Sequence, residues 1–308
     1  MTVKSKKMKK KSEWLLEFKD NVHSQAGEDG IIEKILEVIP ENDKWCVEFG
    51  AWDGIYLSNV RNLIEQAGYS AVLIEGSKIK YDELRKNYSK HKNITCINTF
   101  VGFSDAENLD EILKDTPIPE KFDLLSVDVD GNDYHIWKAV SKYNPKLVVI
   151  EFNPTIPTEI KFVQEPATSV NQGASLLALV ELGKEKGYEL VSVLPFNAFF
   201  VRSEYFSLFQ INDNSPITLR KSLEDITYLF SGYDGKMFLR GSQKLPWHGI
   251  TIKQSRIQQL PKILQKFPCN YTKLEKCLWY IYLIIQQLRE NPLATVKRIA
   301  SRLTKRRS

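Results

Sequence analysis

The sequence contains little cysteine and no long apolar run, and these two absences narrow the classes of protein to which it can belong. Four cysteines occur among 308 residues, and no two form a C-x-x-C pair. This favours reduced thiols in a cytosolic protein over a disulfide-bonded scaffold. The longest apolar run, "CLWYIYLII" at 277–285, has nine residues, whereas a membrane-spanning helix needs about 20. The lysine-rich start is not followed by an apolar stretch, so we expect neither a signal peptide nor a membrane span.

Charge is unevenly distributed along the chain. Residues 1–12 hold six Lys, residues 297–308 hold six Lys or Arg, and neither stretch contains an acid. Removing these twelve from the 43 basic residues leaves 31 against 38 acidic ones, a net charge of about −7 for the body of the protein. A uniformly basic nucleic-acid binder is therefore excluded. The basic ends are either solvated and disordered or in contact with anionic lipid or an acidic partner.

Short apolar runs alternate with helical patterns through most of the chain before residue 205. Helical periodicity lies near 56–67, 78–90, 107–114 and 132–143. The β-rich runs between these are "WCVEFGA" (45–51), "AVLIEG" (71–76), "NITCINTFV" (93–101), "DLLSVDVD" (123–130) and "KLVVIEFN" (146–153). This alternation predicts a parallel sheet covered on both faces. Three residues separate "YELVSVL" from "AFFVRSE", too few for a crossover, so we expect an antiparallel hairpin at the sheet edge.

The first predicted strand ends in an unusual turn, "CVEFGAWDGIYLSN" at 46–59. Gly50 and Gly54 let the backbone approach a ligand closely, and Glu48 and Asp53 can accept hydrogen bonds from an ammonium or hydroxyl group. A tight strand-to-helix connection uses glycine for structural reasons as well. The dinucleotide fingerprint G-x-G-x-x-G is absent, which disfavours a nicotinamide-dependent oxidoreductase.

The second predicted strand ends in Glu75, close to the spacing at which an acid binds the two hydroxyls of a ribose. Carboxylates at both strand ends would repel a pyrophosphate and attract a cation. The pattern therefore favours a nucleoside ligand with a cationic portion and few phosphates, a description that S-adenosylmethionine fits.

At this point the sequence resembles a known family. The segments "SQAGEDGIIEKIL", "CVEFGAWDG", "GYSAVLIEGS", "DLLSVDVDGNDYHIWKAV", "PKLVVIEFN" and "AFFVRS" occur in order between residues 24 and about 205. Together they are similar to the FkbM-like S-adenosylmethionine-dependent methyltransferases. The resemblance implies an α/β fold of the class I methyltransferase (Rossmann-like) type, a seven-stranded sheet with an antiparallel last strand. It also implies O-methylation of sugars or polyketide-type natural products.

The resemblance also implies roles for individual positions. Glu48, Gly50 and Asp53 would line the methionine part of the cofactor, Gly54 would complete that turn, and Glu75 would hold the ribose. Ser104 and Asp105 would lie along the adenine edge and Asp128 at the end of the fourth strand. Gln25 and Asp29 would close over the cofactor.

The fourth and fifth predicted strands end in further polar residues. "DVDGND" supplies Asp128, Asp130 and Asp133, His135 follows, and the fifth strand supplies Glu151 and Asn153. Because neighbouring parallel strands end at the same edge, we expect these side chains to converge where an acceptor binds.

Methyl transfer to an alcohol requires removal of the hydroxyl proton, and three interpretations of this acidic set stay open. In the first, Asp128, Asp130, Glu151 and Asn153 bind Mg²⁺ or Mn²⁺, a layout similar to that of catechol-type O-methyltransferases. In the second, His135, Asp128 or Asp130 acts as a metal-free base. In the third, the acids only cap the helix that starts near Asn132.

Two further segments attract interpretation. The stretch 154–172 is long for a connection, and we expect it to select the acceptor. Residues 218–230 and 255–308 have amphipathic helical patterns, and Val296, Ile299 and Leu303 form one apolar face among basic residues. That face predicts an interfacial helix on an anionic membrane, a docking helix for a partner enzyme, or a helix packed on its own domain.

The sequence thus predicts a basic arm (1–20), a cofactor-binding methyltransferase domain (21–210) and a largely helical C-terminal extension (211–308). The predicted activity is S-adenosylmethionine-dependent O-methylation of a carbohydrate or related metabolite, with no nucleic-acid partner. The predicted location is the cytoplasm, with the inner face of the membrane as a candidate contact. Two alternatives are kept: a catalytically silent scaffold in a glycan assembly complex, and the disfavoured oxidoreductase.

Overall fold

A computed structural model describes residues 11–294 of the chain. The described chain forms two compact units, one that ends at Leu223 and one that begins at Glu224. The predicted apolar face of Val296, Ile299 and Leu303, and the start of the basic arm, lie outside the described residues.

The first unit contains a seven-stranded sheet in the order β3-β2-β1-β4-β5-β7-β6. The strands are β1 (Trp45–Phe49), β2 (Ser70–Ile74), β3 (Ile94–Ile97), β4 (Leu124–Val127), β5 (Leu147–Glu151), β6 (Tyr188–Val193) and β7 (Asn197–Arg202). β1 to β5 pair in parallel, and β7 pairs antiparallel with both β5 and β6. The predicted class I methyltransferase sheet with an antiparallel last strand is confirmed.

Alternate residues along each central strand pack on opposite faces of this sheet, as the two-residue period of a strand requires. On β1, Val47 and Phe49 enter one hydrophobic cluster and Cys46 enters the other. All three are fully buried. Helices cover both faces, which explains why the strands are apolar throughout instead of alternating.

The helices of this unit lie before, between and after the strands of the sheet. They are α1 (Glu28–Val38), α2 (Arg61–Ala67), α3 (Lys78–Asn87), α4 (Leu109–Leu113), α5 (Asp133–Ala139), α6 (Leu176–Glu185), α7 (Ser203–Phe206) and α8 (Pro216–Leu219), with 3₁₀ turns at Trp14–Phe18 and Ser207–Phe209. The helix predicted from residue 56 begins only at Arg61. The Asp53 carboxylate accepts the amides of Ile55 and Tyr56, and Leu57 has a φ of 55°, so these residues form a turn.

The second unit contains two hairpins and one long helix. Its elements are β8 (Thr227–Ser231), β9 (Met237–Gly241), β10 (Lys244–Leu245), β11 (Ile250–Thr251) and α9 (Lys273–Glu290), with 3₁₀ turns at Pro246–His248, Gln254–Arg256, Lys262–Leu264 and Pro268–Asn270. α9 begins at a capping box, in which the Thr272 hydroxyl accepts the backbone amide of Glu275 and the Glu275 carboxylate accepts the backbone amide of Thr272.

The helix predicted over 218–230 is wrong, because α8 ends at Leu219 and β8 occupies 227–231. A glycine turn at 232–235 reverses the chain, and the rings of Phe230 and Phe238 stack across the hairpin at 5.5 Å. Aromatic cross-strand pairs of this kind stabilise a hairpin. No helix among residues 11–294 is both long and apolar enough to cross a membrane.

Candidate active site

The strand ends of the first unit meet at one edge of the sheet. Phe49 is in register with Ile74 on one side and with Val127 on the other, so the chain leaves β1, β2 and β4 side by side. Val127 is in turn in register with Ile150, which places Glu151 beside the end of β4. β1 and β4 are neighbours in the sheet but not in sequence, and ligands of open α/β sheets bind at such a switch point.

The turn after β1 packs tightly against the end of β4. Gly50 has a φ of +72°, and a Cβ atom there would lie 1.9 Å from the carbonyl oxygen of Asp128. Only glycine fits a backbone approach this close. Further along, Trp52 has a φ of 51° and Gly54 has a φ of 73°. The turn is therefore a rigid cradle whose shape depends on these positions.

Glu48 and Asp53 both stabilise this cradle. The buried Glu48 carboxylate accepts the Ser58 hydroxyl at 2.6 Å and the Asn59 amide at 2.8 Å. Burial raises the pKa of Glu48 to about 7. The Asp53 carboxylate accepts the backbone amides of Ile55 and Tyr56 at 2.9 and 2.8 Å. Because both carboxylates are already engaged, their first role in the structure is to hold the turn in place.

Glu75 is fixed between the β1 turn and the start of α3. One carboxylate oxygen accepts the Trp52 amide at 2.9 Å and the other accepts the Ser77 amide at 2.6 Å. Each oxygen keeps a second lone pair, so the carboxylate can still accept hydrogen bonds from a diol. Two exposed aromatic side chains lie beside it. Trp52 is 47 % exposed, and Phe100, whose ring lies over Gly76, is 78 % exposed.

The segment before α1 folds against the same edge of the sheet. One oxygen of Asp29 accepts the amides of residues 22, 23 and 24 at 2.9, 2.6 and 2.8 Å. Glu28 accepts the amides of Gln25 and Ala26 and also the side-chain amide of Asn197, at 3.1 Å. Asn197 begins β7 and is in register with Glu151. The Gln25 side chain itself is exposed.

Two buried oxygens in this region, Oδ1 of Asp29 and Oδ1 of Asn197, have no hydrogen-bond partner within the part of the chain that the structure describes. Unsatisfied buried acceptors in a native protein point to a missing donor. The surrounding groups are carboxylates, which suit a cation and repel a phosphate. The residues therefore fit S-adenosylmethionine, which carries an ammonium, a sulfonium and two ribose hydroxyls.

Three carboxylates converge beyond β4 and β5. Asp128, Asp130 and Glu151 each place an oxygen within 4.8 Å of the other two. Partial desolvation of the two carboxylates, together with the charges of the neighbouring aspartates, raises the pKa of Asp128 and of Glu151 above the ordinary carboxyl range, although the Asp128 residue keeps solvent-exposed surface. The cluster is open to solvent on one side, since Asp128 and Asp130 are exposed and Glu151 is half-buried. Such a cluster is stabilised by a shared proton or by a bound cation.

Asp133 shapes the turn that carries this cluster. It accepts the amides of Val129 and Gly131, each at 2.9 Å, and burial raises its pKa to about 6. Asp130, between those two residues, has a φ of 55°. These amides precede α5, and its N-cap residue Asn132 makes no side-chain cap hydrogen bond, so Asp133 holds the turn and does not cap the helix in the expected way.

Two residues expected in the acidic cluster lie outside it. Nε2 of His135 is 2.8 Å from the Gln164 carbonyl, and the ring packs against Phe103. Asn153 accepts the amide and hydroxyl of Thr155 and donates to the Gln172 carbonyl. We expected four oxygen side chains and an imidazole to converge here. In the structure three carboxylates converge, and His135 and Asn153 instead contact the loop that follows β5.

That loop, residues 154–172, is fastened to the β4–α5 turn through the buried Gln164. Its amide oxygen accepts the amides of Gln172 and Gly173, both at 2.7 Å, and its amide nitrogen donates to Asn132 at 3.0 Å. At the other end of the loop, the Arg220 guanidinium donates to the carbonyls of residues 154 and 156 at 2.6 and 2.8 Å. The loop is therefore an ordered wall beside Glu151.

Ser104 and Asp105 lie in the loop between β3 and α4. Both are exposed, and the Ser104 hydroxyl contacts Glu107 at 3.3 Å.

Sequence reasoning did not identify Glu28, Asn197, Gln164 or Phe100 as site residues. No local pattern marks Asn197, Gln164 or Phe100, because their roles depend on contacts with distant segments.

One segment of the chain matches a known protein family. Residues 103–190 match the family described as the methyltransferase FkbM domain, a segment that runs from the loop after β3 into β6. The predicted family resemblance is confirmed over that segment. A search among curated protein sequences found no match.

Three solved structures illustrate the low similarity of this chain to known structures. The citrinin polyketide synthase CMeT domain is 12 % identical with a TM-score of 0.40, and the match covers 59 % of this chain and 55 % of that one. The N-terminal domain of EvdMO1 in the presence of SAH and D-fucose is 13 % identical with a TM-score of 0.38, and the match covers 57 % of this chain and 82 % of that one. An SAM-dependent methyltransferase from Aquifex aeolicus is 12 % identical with a TM-score of 0.35, covering 61 % and 96 %.

Proposed function

We propose that this S-adenosylmethionine-dependent methyltransferase, which carries a methyltransferase FkbM domain at residues 103–190, transfers its methyl group to a hydroxyl of a sugar or a related hydroxylated metabolite. The observation that carries the proposal is the group of three carboxylates, Asp128, Asp130 and Glu151, whose oxygens lie within 4.8 Å of one another at the edge of the sheet. An alcohol acceptor needs a group that takes its proton, and this cluster supplies one.

We assign cofactor binding to residues on both sides of the switch point. Glu75 accepts hydrogen bonds from the ribose diol, and Oδ1 of Asp29 and Oδ1 of Asn197 accept hydrogen bonds from the ammonium. Trp52 and Phe100 offer exposed rings for the adenine. The cofactor, when bound, supplies a methyl group already activated on sulfur, so the protein has only to align the acceptor and remove its proton.

The Asp128–Glu151 pair is the proposed base. A base works best when its pKa lies near the working pH, and partial desolvation together with the charges of Asp133 and Asp130 raises the pKa of Asp128 above the ordinary carboxyl range. The loop 154–172 forms the wall beside the pair and is the proposed site of acceptor selection. The same three carboxylates could bind Mg²⁺ or Mn²⁺, because hard oxygen ligands suit these ions; Asn153, engaged with Thr155 and Gln172, is not available as a fourth ligand.

The proposed location is the cytoplasm, which agrees with four free cysteines. The catalytically silent scaffold, the second interpretation of the sequence, would share the fold but bind no cofactor or transfer no methyl group.

The test begins with calorimetric titration of S-adenosylmethionine and S-adenosylhomocysteine into the full chain, with and without Mn²⁺. The Glu75→Ala variant should bind at least about tenfold more weakly, since a charged hydrogen-bond acceptor contributes about 1.5–3 kcal/mol. Methyl transfer from radiolabelled cofactor to a panel of sugars, nucleotide sugars and simple polyols then tests the acceptor class. Cofactor binding with transfer only to amine or carbon acceptors would contradict the hydroxyl assignment, and no cofactor binding would favour the scaffold.

A further inference from the structure

Helix α9 of the second unit packs against its own unit on one side, and its opposite side is exposed to solvent. On the packed side, Glu275 is buried, the Tyr282 hydroxyl donates to the Gln259 carbonyl, and Trp279 contacts the Tyr271 ring. The opposite side carries exposed apolar residues at helical spacing. They are Leu274, Cys277, Tyr280, Ile281, Ile284 and Ile285, and we call this set the α9 face.

The exposure of the α9 face is large. Leu274 is 69 % exposed, Tyr280 61 %, Ile281 54 %, and Ile284 and Ile285 41 % each. None of the six residues is charged, and they recur every three or four positions along the helix. Contiguous apolar surface of this kind on a soluble unit marks an interaction site.

The two units differ in the sign of their net charge. Residues 224–294 contain ten Lys or Arg and five Asp or Glu, whereas residues 11–223 contain 22 and 33. Residues 295–308, which follow α9, add six basic residues and no acid. A bare apolar helix face on a basic unit is the combination that binds an anionic bilayer surface: the apolar residues enter the headgroup region and the cations attract the lipid.

Other exposed residues of the unit have the same character. Trp247 in the β10–β11 hairpin is 61 % exposed, and Tyr233 at the tip of the β8–β9 hairpin is 93 % exposed. Trp and Tyr are the residues enriched at membrane–water interfaces. A second copy of this chain is a poorer occupant of the α9 face, because two basic units would be brought together and like charges disfavour such an interface.

We propose that the second unit binds the surface of an anionic lipid bilayer through the α9 face. The basic residues of the unit draw it to the surface, and the apolar residues of the α9 face enter the interfacial layer. The unit would thereby keep the methyltransferase unit close to acceptors held at a membrane.

The test is co-sedimentation of the full chain with vesicles of phosphatidylcholine alone and with vesicles in which about a third of the lipid is phosphatidylglycerol. We expect binding to the anionic vesicles, weakened by salt, and little binding to the neutral ones. The double variant Ile281→Glu and Ile285→Glu should lower the partition coefficient at least about tenfold, because two apolar side chains leave the interface and two anions enter it.

The matched control is Ile217→Glu, which makes the same chemical change at a residue that is 63 % exposed in the first unit. It should leave vesicle binding unchanged. Far-UV circular dichroism and thermal unfolding should be equal in all three proteins and show that both units of the variants are folded, and S-adenosylhomocysteine binding should be unchanged. Light scattering without lipid should give a monomer.

Three results would overturn the proposal. The first is equal sedimentation with and without anionic vesicles, and the second is vesicle binding that the double variant leaves intact. The third is a dimer in solution that the double variant dissociates, which would assign the α9 face to a second copy of the chain.

Discussion

The carbonyl oxygen of Asp128 lies 1.9 Å from the position that a Cβ atom on Gly50 would occupy. Gly50 belongs to the turn after β1 and Asp128 to the end of β4, so this contact fixes the two sides of the switch point against each other. Neither segment can move outward without opening the cradle between them.

Gly50→Ala should therefore destabilise the protein by at least about 3 kcal/mol, since the added methyl group overlaps backbone, and abolish cofactor binding. Gly68→Ala is the control. Gly68 also has a positive φ, +68°, but nothing lies within 4 Å of a Cβ atom there, so only the backbone strain of about 1–2 kcal/mol applies. Denaturant unfolding and titration of S-adenosylhomocysteine measure both effects. Equal losses in the two variants would contradict a steric role for the contact.

Asp29→Asn should weaken S-adenosylhomocysteine binding about tenfold or more, because the charged acceptor that we assign to the ammonium becomes an amide. The loop amides at 22–24 can still be accepted by the remaining oxygen, so the fold should survive. Binding of 5′-methylthioadenosine, which lacks the amino-acid portion, is the control and should change little. If both ligands lose affinity equally, Asp29 acts on the pocket as a whole and does not contact the ammonium.

The raised pKa of Glu48 predicts how the stability of the fold depends on pH. Burial raises its pKa from near 4.5 to about 7, so the folded state holds a proton that the unfolded state releases between these values, and the free energy of unfolding falls as pH rises through this window. Glu48→Gln removes that fall and should be more stable than the natural chain at pH 8, by about 3 kcal/mol, with little gain near pH 4. The exposed Glu33→Gln should show no such difference. Unfolding curves at several pH values decide the outcome.

Glu151→Gln should lower kcat by about two to four orders of magnitude, the usual worth of a general base, with cofactor affinity nearly unchanged. A chelator should leave the activity of the natural chain intact if the carboxylate pair takes the proton directly. Activity that is lost with chelator and restored by Mn²⁺ would instead make the three carboxylates a metal site.

Gln164→Ala should raise the KM for the acceptor while leaving cofactor affinity unchanged, because Gln164 ties the loop 154–172 to the β4–α5 turn. Its exposed neighbour provides the control, Glu165→Ala, which should behave like the natural chain. A loss of cofactor affinity in Gln164→Ala, with KM unaltered, would show that the loop does not belong to the acceptor side.

Much of the sheet could be predicted from the sequence, because strands buried on both faces leave unbroken apolar runs between helical patterns. The acids at the strand ends followed from that arrangement. The contact between Glu28 and Asn197 could not be predicted, since 169 residues separate them. Gln164 likewise appears as an ordinary polar loop residue until its partners at 132, 172 and 173 are placed around it.

The second unit was harder to predict for a different reason. Residues 227–231 carry large apolar side chains at a spacing that suits a strand or a short helix, and the structure pairs them with β9 through a glycine turn. Periodicity alone cannot separate the two conformations in so short a segment.

The hydrogen bond from Asn197 to Glu28 also has a consequence for how the protein is made. Synthesis begins at the N-terminus, so Glu28 leaves the ribosome long before Asn197, and this hydrogen bond cannot form until β7 has been synthesised and added between β5 and β6. Contacts of such long sequence separation form late in folding. A chain released early would hold most of the sheet without a competent pocket, so retention of the nascent chain on immobilised S-adenosylhomocysteine would report the moment at which this domain is complete.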